Sequence, residues 1–139
     1  MSDVIKLIVP GKPEYVGTVR LTVSSVANKV GFDIEAIEDI KVAVSEACSN
    51  IICHGGASSE KNNDYYVICT ISEDSLEIVV EDEGAGFHLE NYTAPDMEAL
   101  NEGGMGIFII RALMDEVVVN SVINQGTCIR MKKYKKSEA

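Results

Sequence analysis

Apolar residues recur at Ile37, Ile40, Val44, Ala47 and Ile51, in steps of three and four, which puts them on one face of a helix. The same steps join Val16, Val19, Val23, Val26, Ala27 and Val30, so 14–30 reads as a helix, although valines alone favour a strand. Gly31 ends it. Asp33 is a candidate N-cap for the second helix, with Ala36 rather than Glu or Gln three residues on, so no capping box reinforces it. This helix is expected to run to about Cys53 and stop near Gly55-Gly56.

Strand-like runs surround these helices. VIKLIV, 4–9, is broken by Pro10-Gly11-Lys12-Pro13. Residues 57–64 are a polar loop. Two strands follow, 65–72 and 76–82, with Glu73-Asp74-Ser75 as the turn between them. Residues 87–103 are polar, carry Pro95 and lack a period; a loop of that length in a compact domain often acts as a lid. A helix is expected over 105–114. A last hairpin, 117–122 with 127–134, turns around Asn124-Gln125-Gly126, and the tail KKYKKSEA is expected to fray. The order β, α, α, β, β, lid, α, β, β implies an α+β fold: a two-layer sandwich with helices on one face of a mixed, mostly antiparallel sheet, as one domain over 1–139.

Composition narrows the function classes. The 139 residues are 46% hydrophobic and 24% charged, enough for a core and unlike a disordered chain. A net charge of -10 argues against a general nucleic-acid binder and against anionic membranes. It suits a basic protein partner, and equally plain solubility. No apolar run reaches the roughly 20 residues of a membrane span, and the N-terminus has no signal-peptide pattern. Cys48, Cys53, Cys69 and Cys128 form no CxxC or disulfide framework, so a reduced cytoplasm is expected. Cys69 and Cys128, in strand-like runs, read as small hydrophobes. Zinc at Cys48, Cys53 and His54 has the wrong spacing.

Three polar clusters carry the candidate chemistry. Glu46, Asn50 and His54, four apart, drift only about 40° per step and form a slanting stripe beside the apolar face. A carboxylate there can act as a base, and an amide oxygen one turn later can bind magnesium; a solvated helix edge is the ordinary alternative. In VVEDEGAGF, Leu76, Ile78, Val80 and Asp82 share one strand face, so Asp82 ends an apolar row and needs a partner, such as a purine amine or a backbone N–H. Gly84 and Gly86 then let a ligand lie close, or simply end the strand. In NEGGMGIFIIRALMDEV, Gly103, Gly104 and Gly106 precede and open an almost wholly apolar helix. Free N–H groups at such a start can receive phosphate; a hinge is the alternative. A P-loop is absent. Five of the eleven glycines lie between residues 84 and 106.

The order Glu46-xxx-Asn50-xxx-His54, Asp82-x-Gly84-x-Gly86, Gly104-x-Gly106 and Gly126-Thr127 resembles the N, G1, G2 and G3 boxes of the GHKL ATPase superfamily, which includes gyrase, Hsp90, histidine kinases and MutL. Over nearly its whole length, notably in PEYVGTVRLTVSSVA, IEDIKVAVSEACSN, EGGMGIFII and LMDEV, the chain is similar to anti-sigma factor serine kinases of the anti-sigma-B type. The resemblance implies a Bergerat-type sandwich that binds Mg-ATP under the lid. It implies Glu46 as the base for a substrate serine and Asn50 as the magnesium ligand. Asp82 would accept from the adenine amine with Gly84 and Gly86 beside the base, Gly104, Met105 and Gly106 would line the phosphates, and Thr127 would sit near the adenine pocket. Arg20 matches a partner-contact arginine; His54 receives no chemical role. The implied partners are an alternative sigma factor, an anti-anti-sigma protein of STAS fold, and a second copy in a homodimer.

One departure concerns the lid. Residues 87–103 hold no Lys or Arg, where some related kinases place a basic residue near the terminal phosphate, and Asp96, Glu98 and Glu102 make the segment acidic. A module that binds sigma factor and nucleotide without phosphotransfer is therefore the competing reading. A gyrase-like hydrolase lacks its transducer here, and a sensor kinase its phosphoacceptor helix.

Overall fold

Steps of three and four in the helices and of two in the strands carry through to a five-stranded sheet with three helices packed on one face. The computed structural model describes residues 2–54, 64–83, 105–122 and 125–136. In chain order the elements are β1 (Asp3–Val9), a 3-10 turn (Pro13–Tyr15), α1 (Val16–Val30), α2 (Ile34–His54), β2 (Tyr65–Ile71), β3 (Ser75–Asp82), α3 (Met105–Leu113), β4 (Glu116–Val122) and β5 (Gly126–Tyr134). The sheet order is β1-β2-β3-β5-β4, and every pairing is antiparallel. The mixed sheet expected from the element order therefore has no parallel pair among the described strands.

The helix ends follow local chemistry. The Gly31 N–H donates to the Ala27 and Asn28 carbonyls and closes α1. Asp33 does cap α2: the Ala36 N–H donates to its Oδ1 at 2.8 Å, although no capping box supports it. The core lies between α2 and the sheet, where Ile40, Val44, Ala47 and Ile51 meet Val67, Ile78 and Ile129. α2 lies between α1 and α3 and packs on both.

Three expectations need correction. The frayed tail is wrong for Lys132–Lys135: Lys132, Lys133 and Tyr134 belong to β5, and the Lys135 N–H donates to the Asp74 carbonyl. α3 is less enclosed than its composition suggests. Its inner side buries Gly106, Ile107 and Ile110, whereas Phe108 is 47% exposed. Cys69 is buried as expected, but Cys128 is only half-buried, because it pairs with Glu81 on the opposite side of the sheet from Ile129. No described helix is long and apolar enough to cross a membrane.

Candidate functional site

Two contacts fix how α2 lies over the strands. Lys133 Nζ, near the end of β5, is 3.9 Å from Asp39 Oδ2 near the start of α2. Tyr65, at the start of β2, interacts with Cys48 in the second half of α2. Since Tyr66 pairs with Glu81 and Asp82 with Thr127, the Glu46–Asn50 half of α2 lies toward the end of the sheet where β3 finishes and β5 begins. Glu46 and Asn50 thus lie toward the same end of the sheet as Asp82.

Asn50 is 5% exposed, and neither its Oδ1 nor its Nδ2 has a hydrogen-bond partner among the described residues. Leaving such groups unmet costs about 1–3 kcal/mol each. The solvated-edge alternative therefore fails at this position, and the amide is suited to a ligand. Glu46, one turn earlier, is half-buried against the first turn of α3. A Cβ on Gly106 would stand 3.3 Å from Glu46 Oε2 and 3.8 Å from its carbonyl oxygen, so the glycine leaves room for the carboxylate. Met105, half-buried, begins the same turn.

Asp82 ends the inner face of β3 at 7% exposure, as the alternation of its strand requires. Its Oδ1 accepts the Thr127 N–H at 3.0 Å. Thr127 Oγ1 is in turn 2.8 Å from Ser121 Oγ, so three neighbouring strands contribute one polar row. Gly126 makes the row possible. Its φ is +106°, and a Cβ there would lie 2.2 Å from the Asp82 carbonyl oxygen, an approach only glycine permits. Ser121 is the residue that sequence reasoning missed. Its signal was available: it shares strand parity with Val117 and Val119 and is a polar residue on an apolar face.

Behind the site, burial pushes the Cys48 thiol up to about 11, offset in part by the Tyr65 hydroxyl. Burial and the Cys48 thiol also raise the Tyr65 phenol, although their contact lacks hydrogen-bond geometry. Arg20 is exposed on α1. Gly84, Gly86, Gly104, the 87–103 segment and the His54 side chain lie outside the described residues. A cavity of about 510 Å³ lies at the other pole, lined by Phe32, Asp39, Asp115 and Lys133, and none of the sequence-predicted site residues lines it.

Among the described residues, no three His, Cys, Asp or Glu side chains are placed to hold a metal between them. Magnesium needs no such cage, since it retains waters and shares phosphate oxygens, and the unpartnered Asn50 amide fits that kind of site.

The family model for the histidine kinase-like ATPase domain matches residues 9–133. Serine-protein kinase RsbW of Oceanobacillus iheyensis is 46% identical over 140 residues, covering 95% of this chain and 87% of that protein. Serine-protein kinase RsbW of Bacillus subtilis is 39% identical, covering 99% and 89%. Among solved structures, the histidine kinase domain from the Erythrobacter litoralis EL346 blue-light activated histidine kinase superposes with a TM-score of 0.56 at 20% identity, over 91% of this chain and 61% of that chain. That last likeness is one of fold.

Proposed function

The chain belongs to the histidine kinase-like ATPase family, and from that premise we propose that it is an anti-sigma factor and ATP-dependent protein-serine kinase. Its activity would be to phosphorylate a serine of an anti-anti-sigma protein of STAS fold, and its other role to sequester an alternative sigma factor. Relatives that carry the serine-protein kinase name at 39% and 46% identity support the kinase class. The observation that carries the site is Asn50, whose buried amide is unpartnered one helical turn from Glu46.

In this reading Glu46 takes the proton of the attacking serine hydroxyl, with its carboxylate held beside Gly106. Asn50 Oδ1 would hold magnesium, which would neutralise phosphate charge. Asp82 accepts the adenine amine while Thr127 borders the ring. By the family resemblance Gly84 and Gly86 would lie along the base, Gly104, Met105 and Gly106 would line the phosphates, and 87–103 would form the lid. ATP, when bound, supplies the phosphoryl group. Arg20 belongs to a partner surface on α1, and the working unit is a cytoplasmic homodimer of one-domain chains.

The test is phosphotransfer. The protein is incubated with Mg-ATP and STAS-domain proteins from the same genome, and serine phosphorylation is read by intact mass. One added phosphate on one partner is expected with the wild type and none with Glu46→Gln, which should still bind nucleotide. Undiminished transfer by Glu46→Gln sinks the base assignment. Nucleotide binding without transfer to any partner favours the binding-module reading.

A further inference from the structure

We infer that Lys133 is a positioning residue for phosphotransfer: from the far end of α3 it fixes the direction of that helix against α2, and the helix carries the constraint to Gly106 beside Glu46. This inference rests on the base role proposed for Glu46.

The starting point is an inward-facing lysine. Lys133 shares strand parity with Ile129 and Met131, both fully buried, and pairs with buried Leu76 across the ladder to β3. An apolar side chain would fill that position, and an ammonium placed there needs partners. Lys133, whose side chain is 13% exposed, has two: its Nζ donates to the Leu113 carbonyl at 2.6 Å and lies 3.9 Å from Asp39 Oδ2. Leu113 is the last residue of α3. The bond therefore meets one of the carbonyls that a helix end leaves unpaired, and a cation there also complements the helix dipole.

These contacts set α2 and α3 in register. Asp39 precedes Glu46 by seven residues, and Leu113 follows Gly106 by seven. The two helices thus run antiparallel, with two turns between the Lys133 contacts at one end and the approach of Gly106 to Glu46 at the other. α3 has only nine residues, too few for a stable helix alone, so its placement depends on what holds it. Ile107 and Ile110 seat it by apolar burial, which is non-directional. The Asp115 N–H and carboxylate tie the chain just beyond α3 to Lys132 and Tyr134, which fixes where the helix ends but not where it points. Lys133 supplies the direction. Over the roughly 10 Å from Leu113 to Gly106, a swing of about 5° displaces Gly106 by about 1 Å, and Glu46 loses its seat.

The experiment measures kcat for phosphotransfer to the STAS-domain partner, and ADP affinity by calorimetry, at a temperature where circular dichroism shows each protein folded. The proteins are wild type, Lys133→Met, Lys133→Arg, Gly106→Ala and the double variant Lys133→Met/Gly106→Ala, with Glu46→Gln as the control for the base. Lys133→Met keeps the stem and removes the ammonium. Its kcat should fall about 10-fold, with ADP affinity unchanged. Lys133→Arg, which keeps a cation and its donors, should recover most of the rate. The double variant should lose less than the product of the two single losses, because both changes disturb the same carboxylate. A wild-type kcat in Lys133→Met, while Glu46→Gln is inactive, overturns the inference and leaves the kinase reading standing. Losses that multiply in the double variant, a parallel loss of ADP affinity, or a Lys133→Arg as slow as Lys133→Met also overturn it, since they indicate general loosening. Transfer undiminished in Glu46→Gln, or absent from wild type, removes the proposed base and the inference with it. Should Lys133→Met fail to fold, Lys133→Gln decides instead: its amide is shorter and uncharged, so kcat should fall with ADP affinity kept, and an unchanged kcat overturns the inference.

Discussion

At the scale of single residues, the site depends on where a side chain is missing. Gly106 opens α3 beside Glu46, and a methyl group there would crowd the far end of a flexible carboxylate, at 3.3 Å, with no backbone atom closer than 3.8 Å. The carboxylate can give way by a few tenths of an ångström, so the fold has no reason to fail. Under the proposed role of Glu46, catalysis does, because a general base works only within hydrogen-bond reach of the proton it takes. Gly106→Ala should therefore keep its melting temperature, or gain slightly, since alanine favours helix over glycine. Its kcat for phosphotransfer should fall about 10-fold, as misplacements of this kind cost up to 100-fold for a full ångström. A rate equal to wild type, measured at saturating ATP and partner, would show that Glu46 does not need its present seat. Gly126 is the contrasting case: its forbidden Cβ would meet the Asp82 backbone, which cannot swing aside.

At the scale of elements, α2 carries both the core and the site, so its start is coupled to its end. Asp33 caps it through the Ala36 N–H. Asp33→Ala should lower unfolding free energy by about 1 kcal/mol, the usual value of such a cap, while phosphotransfer per folded molecule stays unchanged because the site lies four turns away. Denaturant titration reads the first and a rate assay the second. The elements were legible because their periods were clean: the α1 and α2 stripes and the β3 alternation each predicted which residues face inward, Asp82 included. The burial of Asn50 was not legible, although its candidacy as a ligand was. Spacing puts the residue at the border of the apolar face, and only the packing of α3 against α2 decides whether such a border is wet. Sheet order was hidden for a related reason. That β5 inserts between β3 and β4 depends on pairing Asp82 with Thr127, forty-five residues apart, which no local pattern encodes. Cys128 and Ser121 are different, since strand parity alone would have placed the first outward and the second inward.

At the scale of the whole molecule, the layer between helices and sheet holds two thiols that water does not reach. Cys48 from α2 and Cys69 from β2 are both fully buried, and burial raises each from 9.0 to about 11. A group that holds its proton more tightly folded than unfolded stabilises the fold fully below its unfolded value, and that contribution disappears as pH rises through its folded value. Stability from these two thiols should thus be level up to about pH 9 and decline between about 9 and 11. Lysines also lose charge in this range, so wild type alone cannot assign the decline. Replacing both cysteines with alanine lowers stability overall through the space it opens, but it removes the titrating groups, and the slope of unfolding free energy against pH should flatten. Urea titrations from pH 8 to pH 11 provide that slope for both proteins. If the two slopes are the same, the thiols are not what alkali attacks. Exposed Cys53 supplies an internal control: a thiol reagent at pH 8 should modify it in the native protein while Cys48 and Cys69 remain intact until the layers separate.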